Sequence, residues 1–174
     1  MRFIDTLQGR PYAWYIRPVL LLLGRAAGGL TEPVRLWGRV PLAFLGFLWM
    51  LRVLDRRRSG LTPALRALVR TRVAQLDLCG FCIDLNGSIA LQRGVTEEKL
   101  LALADFASSP LYDAAETAAL AFTETVTLTG RTVEAPLMER LKSHFSDDAI
   151  IELTAIIAHQ NLSTRFNRAL GVHG

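Results

Sequence analysis

Signals that start and stop helices recur along most of this 174-residue chain, and they constrain its fold more than any other feature. Thr62 can cap a helix whose first residue is Pro63, where the missing N–H costs nothing. No stretch shows the sustained two-residue alternation and hairpin turns of a β-sheet. Glycines that can take the left-handed conformation closing a helix stand at Gly94, Gly130 and Gly171. The sequence therefore predicts an all-α protein.

Polar residues at N-cap positions predict where the helices begin. Asp113 and Glu116 have the spacing of a capping box, which opens a helix that runs to about Thr129. The other predicted helices run from Thr62 toward Cys79, from the cysteine pair to Gly94, from Thr96 onward, over 134–144, and from Ser146 to Gly171.

The first 39 residues differ from the rest, because three prolines and the Gly28-Gly29 pair break them into short pieces. We expect one helix around 19–27 and irregular connections elsewhere. Residues 41–54 have the composition of a helix that is apolar on nearly all sides, which predicts burial against other helices or subunits. The predicted division is a basic N-terminal extension, 1–39, and a helical domain, 40–174.

Charge is distributed unevenly along the chain. Residues 1–72 hold 13 arginines against Asp5, Glu32 and Asp55, a net charge of +10, whereas residues 73–174 have a net charge of −6. We favour packing of the basic part against the acidic remainder of its own or a neighbouring subunit. Peripheral contact with an anionic membrane surface is the alternative. Nucleic-acid binding is not expected, because the arginines match no recognition motif.

The mean hydropathy of +0.27 is high for a soluble protein, so membrane spans need to be considered. The longest uncharged apolar run, residues 40–51, has 12 residues, whereas a spanning helix needs about 20. Two cysteines in a chain without an export signal favour a reducing compartment. We therefore expect a cytoplasmic protein.

The strongest chemical signal is the pair Cys79 and Cys82. On one helix, these two residues and Asn86 would share a face, with Gln75 one turn before them. A redox pair needs this spacing, because one thiolate attacks a peroxide or disulfide and the second closes an internal disulfide. At the positive end of the next helix, the thiol pKa should fall. The alternative is that both thiols only fill a helix interface.

A structural zinc site would need four ligands, and no second pair of ligands follows the cysteines. We therefore expect neither a metal nor another bound cofactor.

Residues 65–86, which read LRALVRTRVAQLDLCGFCIDLN, resemble the core of the carboxymuconolactone decarboxylase and alkylhydroperoxidase D superfamily. Residues 145–167 resemble its closing helix, so the resemblance covers about residues 41–172. It implies an AhpD-like all-helical fold that assembles into trimers, hexamers or dimers, and thiol-dependent reduction of peroxides. It also implies that Cys82 is the peroxidatic cysteine and Cys79 the resolving one.

Two positions depart from the peroxidase pattern of that superfamily. Its proton relay uses a glutamate and a histidine at the positions of Ala67 and Asn86. An asparagine amide can orient a group but cannot take up a proton, so the reaction should be slower by about 10²- to 10⁴-fold unless another group substitutes. Asp84 is the nearest candidate base, although its spacing puts it on a different helical face. Gln75 can orient a substrate or a water.

Polar residues of the closing helix form a second candidate cluster. If His159, Asn161 and Arg165 face the cysteine pocket, Arg165 would stabilise a thiolate or hold an anionic substrate. We favour the alternative, a hydrogen-bond network between helices or subunits. Aromatic residues such as Trp37 and Phe44 are expected in the core or at subunit contacts, not in a ligand cage.

The predicted function is reduction of a small-molecule hydroperoxide or disulfide by the Cys79–Cys82 dithiol, with a thiol as electron donor. Two alternatives stay open. One is an acid–base enzyme of the lactone-decarboxylase kind, in which the cysteines are structural. The other is a non-catalytic, redox-responsive oligomeric scaffold.

Overall fold

A computed structural model of the chain describes residues 11–26, 28–56 and 59–172, and all regular structure in these ranges is helical. The prediction of an all-α fold is confirmed. A short 3-10 turn, Ala102–Asp105, follows the sixth helix. The α-helices of the described ranges are α1 (Arg17–Ala26), α2 (Glu32–Trp37), α3 (Pro41–Leu54), α4 (Pro63–Leu76), α5 (Gly80–Gln92), α6 (Glu97–Leu101), α7 (Ala114–Thr127), α8 (Ala135–Lys142) and α9 (Asp147–Ala169).

Helix α4 is the centre of the fold, since it packs against α5, α7 and α9. Its Val69 and Val73 join a core cluster with Phe122 of α7 and Leu153 of α9. On another side, Leu68 packs with residues of α5 and the 3-10 turn. Because α4 is covered on several sides, its polar residues Arg66, Arg70 and Thr71 are buried.

The capping predictions are confirmed. The Asp113 carboxylate accepts a hydrogen bond from the Glu116 backbone N–H at 2.8 Å, and the Glu116 carboxylate accepts one from the Asp113 N–H at 3.1 Å. The side chains of Thr62, Thr96 and Ser146 each accept from the backbone three residues on. These bonds satisfy N–H groups that have no partner inside the helix.

The helix expected to run from Thr62 toward Cys79 is shorter than predicted. It ends at Leu76, and Leu78 has a φ of 54°, a left-handed conformation that an α-helix cannot include. The prediction that Gln75 shares a helix face with the cysteines is therefore wrong, because Gln75 lies on α4 and the cysteines begin α5.

The N-terminal segment is more regular than predicted. Residues Glu32–Trp37, expected to be irregular, form α2, with a proline in its first turn. Trp37 stacks on Phe166 of α9 at 3.9 Å between ring centroids and on Phe47 of α3 at 5.0 Å. Residues 11–37 thus share a hydrophobic cluster with α3 and α9. The predicted extension also includes residues 1–10, which lie outside the described ranges. Ala27, the expected end of the first helix, lies outside them too.

Helix α3 is less buried in the single chain than its composition suggests. Phe44 is its one buried side chain, whereas Leu42 and Trp49 are 73% and 70% exposed. Burial of this face against a second subunit stays a prediction.

Ion pairs inside the chain join the basic first part to the acidic remainder. Arg72 of α4 pairs with Glu124 of α7, and Arg56 Nη2 lies 3.8 Å from a carboxylate oxygen of Glu152 on α9. These pairs support packing within one subunit for the arginines involved. Across the described residues, each helix is too short or too polar to cross a membrane.

Candidate active site around the cysteine pair

The cysteines lie where the turn after α4 meets the N-terminus of α5. Cys79 is the N-cap of α5, and Cys82 is the third residue of the helix. The two form a disulfide with their Cα atoms 5.2 Å apart, and both side chains are buried. Once reduced, either sulfur lies at the positive end of the helix dipole, which favours a thiolate.

Helix α9 holds the turn before Cys79 in place. The Thr164 hydroxyl donates to the buried carboxylate of Asp77. Arg165 Nε lies 3.7 Å from the other oxygen of that carboxylate, and Arg168 Nη1 donates to the Asp77 carbonyl at 3.5 Å. The position of the cysteine pair therefore depends on contacts with a helix more than eighty residues away in the chain.

Two asparagines contact Cys82 directly. Asn167 of α9 is fully buried and donates through Nδ2 to the Cys82 sulfur at 3.3 Å. Asn86 donates through Nδ2 to the Cys82 carbonyl at 2.8 Å, one turn back along α5. The bond from Asn167 gives the Cys82 sulfur a donor that stabilises negative charge on it.

A cavity of about 390 Å³ lies beside Cys82. Cys82 is among the described residues that line it, and Cys79 is not. The lining includes Trp37 and Phe44, which were expected in the core; both are buried, and both also face the cavity. Its apolar wall comes mainly from α2, α3 and α5 and includes Val34, Trp37, Phe44, Phe47, Leu48, Leu51, Phe81, Leu85 and Ile89.

His159 is a polar group in this lining. Its ring stacks on Phe47 at 4.3 Å, and its Nε2 lies 3.1 Å from the Phe47 carbonyl oxygen. A carbonyl only accepts, so the hydrogen is on Nε2 and Nδ1 carries a lone pair, with no partner among the described residues. Burial, opposed by the Phe47 bond and assisted by the charge of Arg70, lowers the pKa of His159. The imidazole is therefore neutral at physiological pH.

Arg70 of α4 is the buried cation of the lining, 4% exposed. Its neighbours include Asp55, which forms an ion pair with Arg93 and lies 3.7 Å from Arg66 Nε. Burial lowers the pKa of Arg70 to about 10; Asp55 opposes this shift, and Arg93 and Arg66 add to it. Arg70 therefore keeps its charge at neutral pH.

Four residues singled out from the sequence lie away from the cavity lining. Gln75 accepts a hydrogen bond from an arginine of α4, and Asp84 is exposed. Asn161 donates to the Thr127 hydroxyl at 3.2 Å, and Arg165 donates to the Thr127 carbonyl at 2.8 Å. Asn161 and Arg165 thus join α9 to α7, and Arg165 also contacts the turn before Cys79 through Asp77.

Arg70 and Asn167 are among the residues of the cavity that the sequence analysis missed. Signals for both are present in the chain. Arg70 stands three residues after Ala67 and four before Ala74, on a helix face where Arg66 is the other charged residue. Asn167 follows Gln160 by seven residues, so the two share a face of α9. A charged or amide group inside an apolar stripe indicates a buried polar site, but it does not show which helix faces it.

Comparison with known proteins was made on the sequence and on the fold. Residues 40–125 match the carboxymuconolactone decarboxylase family. The uncharacterised protein YnjA of Escherichia coli (strain K12) is 41% identical over 163 residues, which cover 94% of this chain and 86% of that protein.

Two solved structures illustrate the similarity of fold. One is a protein of unknown function, ATU0492, from Agrobacterium tumefaciens, described as a candidate antioxidant defence protein AhpD. It is 26% identical with a TM-score of 0.71, over 77% of this chain and 92% of that one. The other is a cysteine-to-alanine variant of the debrominase Bmp8 in complex with 2,3,4-tribromopyrrole. It is 23% identical with a TM-score of 0.82, over 98% and 91% of the two chains, which at this identity shows the fold alone.

Proposed function

Because this chain belongs to the carboxymuconolactone decarboxylase family, whose AhpD-like helical fold it shares, we propose that it is a thiol-dependent oxidoreductase that reduces a hydroperoxide or a disulfide. One observation carries the proposal. Cys82 lines a cavity and accepts a hydrogen bond from Asn167, while Cys79 stands within bonding distance of it outside the cavity lining. This arrangement exposes the Cys82 sulfur to a substrate and places the Cys79 sulfur where it can form a disulfide with the oxidised Cys82.

In the proposed reaction, the Cys82 thiolate attacks one oxygen of the hydroperoxide. The O–O bond breaks, the sulfur becomes a sulfenic acid, and the alkoxide takes a proton and leaves as an alcohol. The Cys79 thiol then attacks the Cys82 sulfur, so that an S–S bond forms and water leaves. Two equivalents of an external thiol reduce the disulfide and are themselves oxidised to a disulfide.

Proton transfer falls to His159 in this proposal, since Ala67 and Asn86 occupy the usual relay positions. The free Nδ1 of a neutral imidazole can accept the proton of the Cys82 thiol and return it to the leaving alkoxide. His159 and Cys82 line the same cavity, which supports this role.

The same histidine favours a second candidate function. His159, a neutral base, and Arg70, a buried guanidinium, line one cavity. An acid–base enzyme of the lactone-decarboxylase kind would use two such groups. In that case Cys79 and Cys82 would serve only the structure.

The test begins with the reduced protein and a small excess of cumene hydroperoxide. We expect formation of the Cys79–Cys82 disulfide, followed by mass spectrometry, well above the rate of free glutathione under the same conditions. The chain has two cysteines, so thiol titration reports on this pair alone. A rate no higher than that of glutathione would contradict the proposal.

Single-cysteine variants then separate the roles. Cys82→Ser should abolish peroxide consumption with dithiothreitol as donor. Cys79→Ser should allow one turnover and leave a sulfenic acid that dimedone traps on Cys82. Circular dichroism confirms that each variant is folded. If replacing both cysteines leaves turnover of a carboxylated lactone unchanged, the acid–base candidate is correct instead.

A further inference from the structure

Three guanidinium groups surround one carboxylate at the cavity, whose lining includes Asp55, Arg70 and Arg93. Asp55 pairs through Oδ2 with Arg93, and its Oδ1 lies 3.7 Å from Arg66 Nε. Arg70 feels the charges of all three residues. The four side chains together have a charge of +2, and Arg66 and Arg70 are almost completely buried. Buried positive charge in this excess is costly unless an anion compensates it.

Arg70 is the member of this cluster with the most buried atoms that lack a hydrogen-bond partner among the described residues. Its Nε and Nη2 have no hydrogen-bond partner among the described residues. Arg66 also has an unpartnered Nε, but it donates through Nη1 to the carbonyls of Arg56 and Leu61. Arg72, two residues along the same helix, pairs with Glu124. Arg93 and Asp55 line the cavity as well, but they pair with each other, so Arg70 is the guanidinium of the lining that has two unpartnered nitrogens.

The geometry of a guanidinium identifies the group that would satisfy it. Nε and Nη2 form one edge of the planar fork, and two parallel N–H donors on one edge match the two oxygens of a carboxylate. Most of the remaining lining is aromatic or aliphatic, so the rest of a ligand would be apolar.

We propose that the cavity binds a small monocarboxylate with an apolar body, whose carboxylate pairs with Nε and Nη2 of Arg70 and whose body lies against Trp37 and Phe47. This inference rests on the proposed function only for the reaction that follows binding. It then names the substrate class: a hydroperoxide or disulfide that carries a carboxylate on an apolar chain.

Binding is tested by isothermal titration calorimetry on the full chain with both cysteines replaced by serine, so that no redox step interferes. The probes are hexanoate, decanoate and 4-phenylbutyrate, each paired with its neutral amide. We expect at least one acid to bind about 10- to 100-fold more tightly than its amide, as hydrogen bonds to a charged group predict. No preference for any acid over its amide would overturn the inference without the need for a variant.

Variants of two arginines on α4 sharpen the test. Arg70→Met should weaken binding of the acid about 10- to 100-fold and leave binding of the amide within about threefold. Arg72→Met, which removes a paired guanidinium outside the cavity, should leave both unchanged. Equal loss in the two variants would overturn the role of Arg70.

The two proposals fail separately. Rapid disulfide formation with peroxide, without preference for acids, would overturn the carboxylate site and leave the dithiol reaction standing. Preference for acids in a protein whose reduced cysteines react no faster than glutathione would overturn the dithiol reaction and leave the site standing.

Discussion

Asn167 is the side chain that donates to a reacting atom, because its amide reaches the Cys82 sulfur. Such a donor acts mainly when the sulfur is charged, since hydrogen bonds to an ionised acceptor are about twice as strong as those between neutral groups. Its contribution should therefore appear in the rate of thiolate attack more than in the stability of the disulfide.

Asn167→Leu should slow formation of the Cys79–Cys82 disulfide with cumene hydroperoxide by about 10- to 100-fold, the value of a hydrogen bond to a charged group. Stopped-flow mixing followed by mass spectrometry measures the rate. Asn161→Leu is the matched control, because Asn161 lies on the same helix and contacts Thr127 instead. Equal rates in the two variants would contradict the role of Asn167.

His159 makes stability depend on pH. Its pKa in the folded protein is lowered by burial, whereas in the unfolded chain it is about 6.5. Below pH 6.5 the unfolded state binds a proton that the folded state does not, so acid favours unfolding. The free energy of unfolding in urea should therefore fall as the pH drops from about 6.5 toward the folded value, by up to about 1.4 kcal/mol per pH unit.

His159→Gln should flatten this pH dependence, since a glutamine amide can still donate to the Phe47 carbonyl but does not titrate. His144→Gln provides the comparison, because His144 is exposed on the surface. If the wild-type slope survives His159→Gln, another group is responsible for it.

At the scale of elements, α9 positions the cysteine turn through Thr164. This residue and Thr154 share one contact inside the helix, since each hydroxyl lies within hydrogen-bond distance of the carbonyl four residues earlier, although Thr164 is fully buried and Thr154 partly buried. Only Thr164 is also bonded to the buried carboxylate of Asp77. A comparison of variants of the two threonines therefore distinguishes the effect of a bond inside one helix from that of a bond between two elements.

Thr164→Val should lower the free energy of unfolding by about 1–3 kcal/mol, because it deprives a buried carboxylate of a donor. Thr154→Val should cost less than about 1 kcal/mol. Urea titrations followed by circular dichroism measure both. A similar loss in the two variants would show that Asp77 does not need the bond to α9.

At the scale of the molecule, Trp37 joins the N-terminal segment to the helical domain. It is 6% exposed and stacks on rings of α3 and α9, so that α2 and the cavity wall are parts of one packed unit. Trp14 of the same segment is 80% exposed. The two tryptophans offer a comparison of one residue type in two environments.

Trp37→Ala should lower the free energy of unfolding by about 3–5 kcal/mol through lost contacts and a new void. Trp14→Ala should change it by less than about 0.5 kcal/mol. Urea titrations followed by far-UV circular dichroism measure both free energies, because the helix signal does not rely on tryptophan fluorescence. A change below 1 kcal/mol for Trp37→Ala would indicate that residues 11–37 are a separate extension.

Most of the helices could be predicted from the sequence, because capping depends on residues a few positions apart. The Asp113–Glu116 capping box and the Thr62, Thr96 and Ser146 caps are such cases. The break at Leu78 could not be predicted, since the chain continues as a good helix-forming sequence up to Asp77. That turn depends instead on bonds from α9.

By itself, the sequence determined the all-α fold and identified the cysteine pair, because both follow from spacing within one or two helical turns. Only the tertiary structure decided what surrounds Cys82. His159 and Asn167 lie on α9, about ninety residues or more after Arg70 on α4, and the three meet because α4, α5 and α9 bury their apolar faces against one another. Burial then determines their chemistry, since it leaves two nitrogens of Arg70 without a hydrogen-bond partner among the described residues, keeps His159 neutral and places the Asn167 amide on the sulfur.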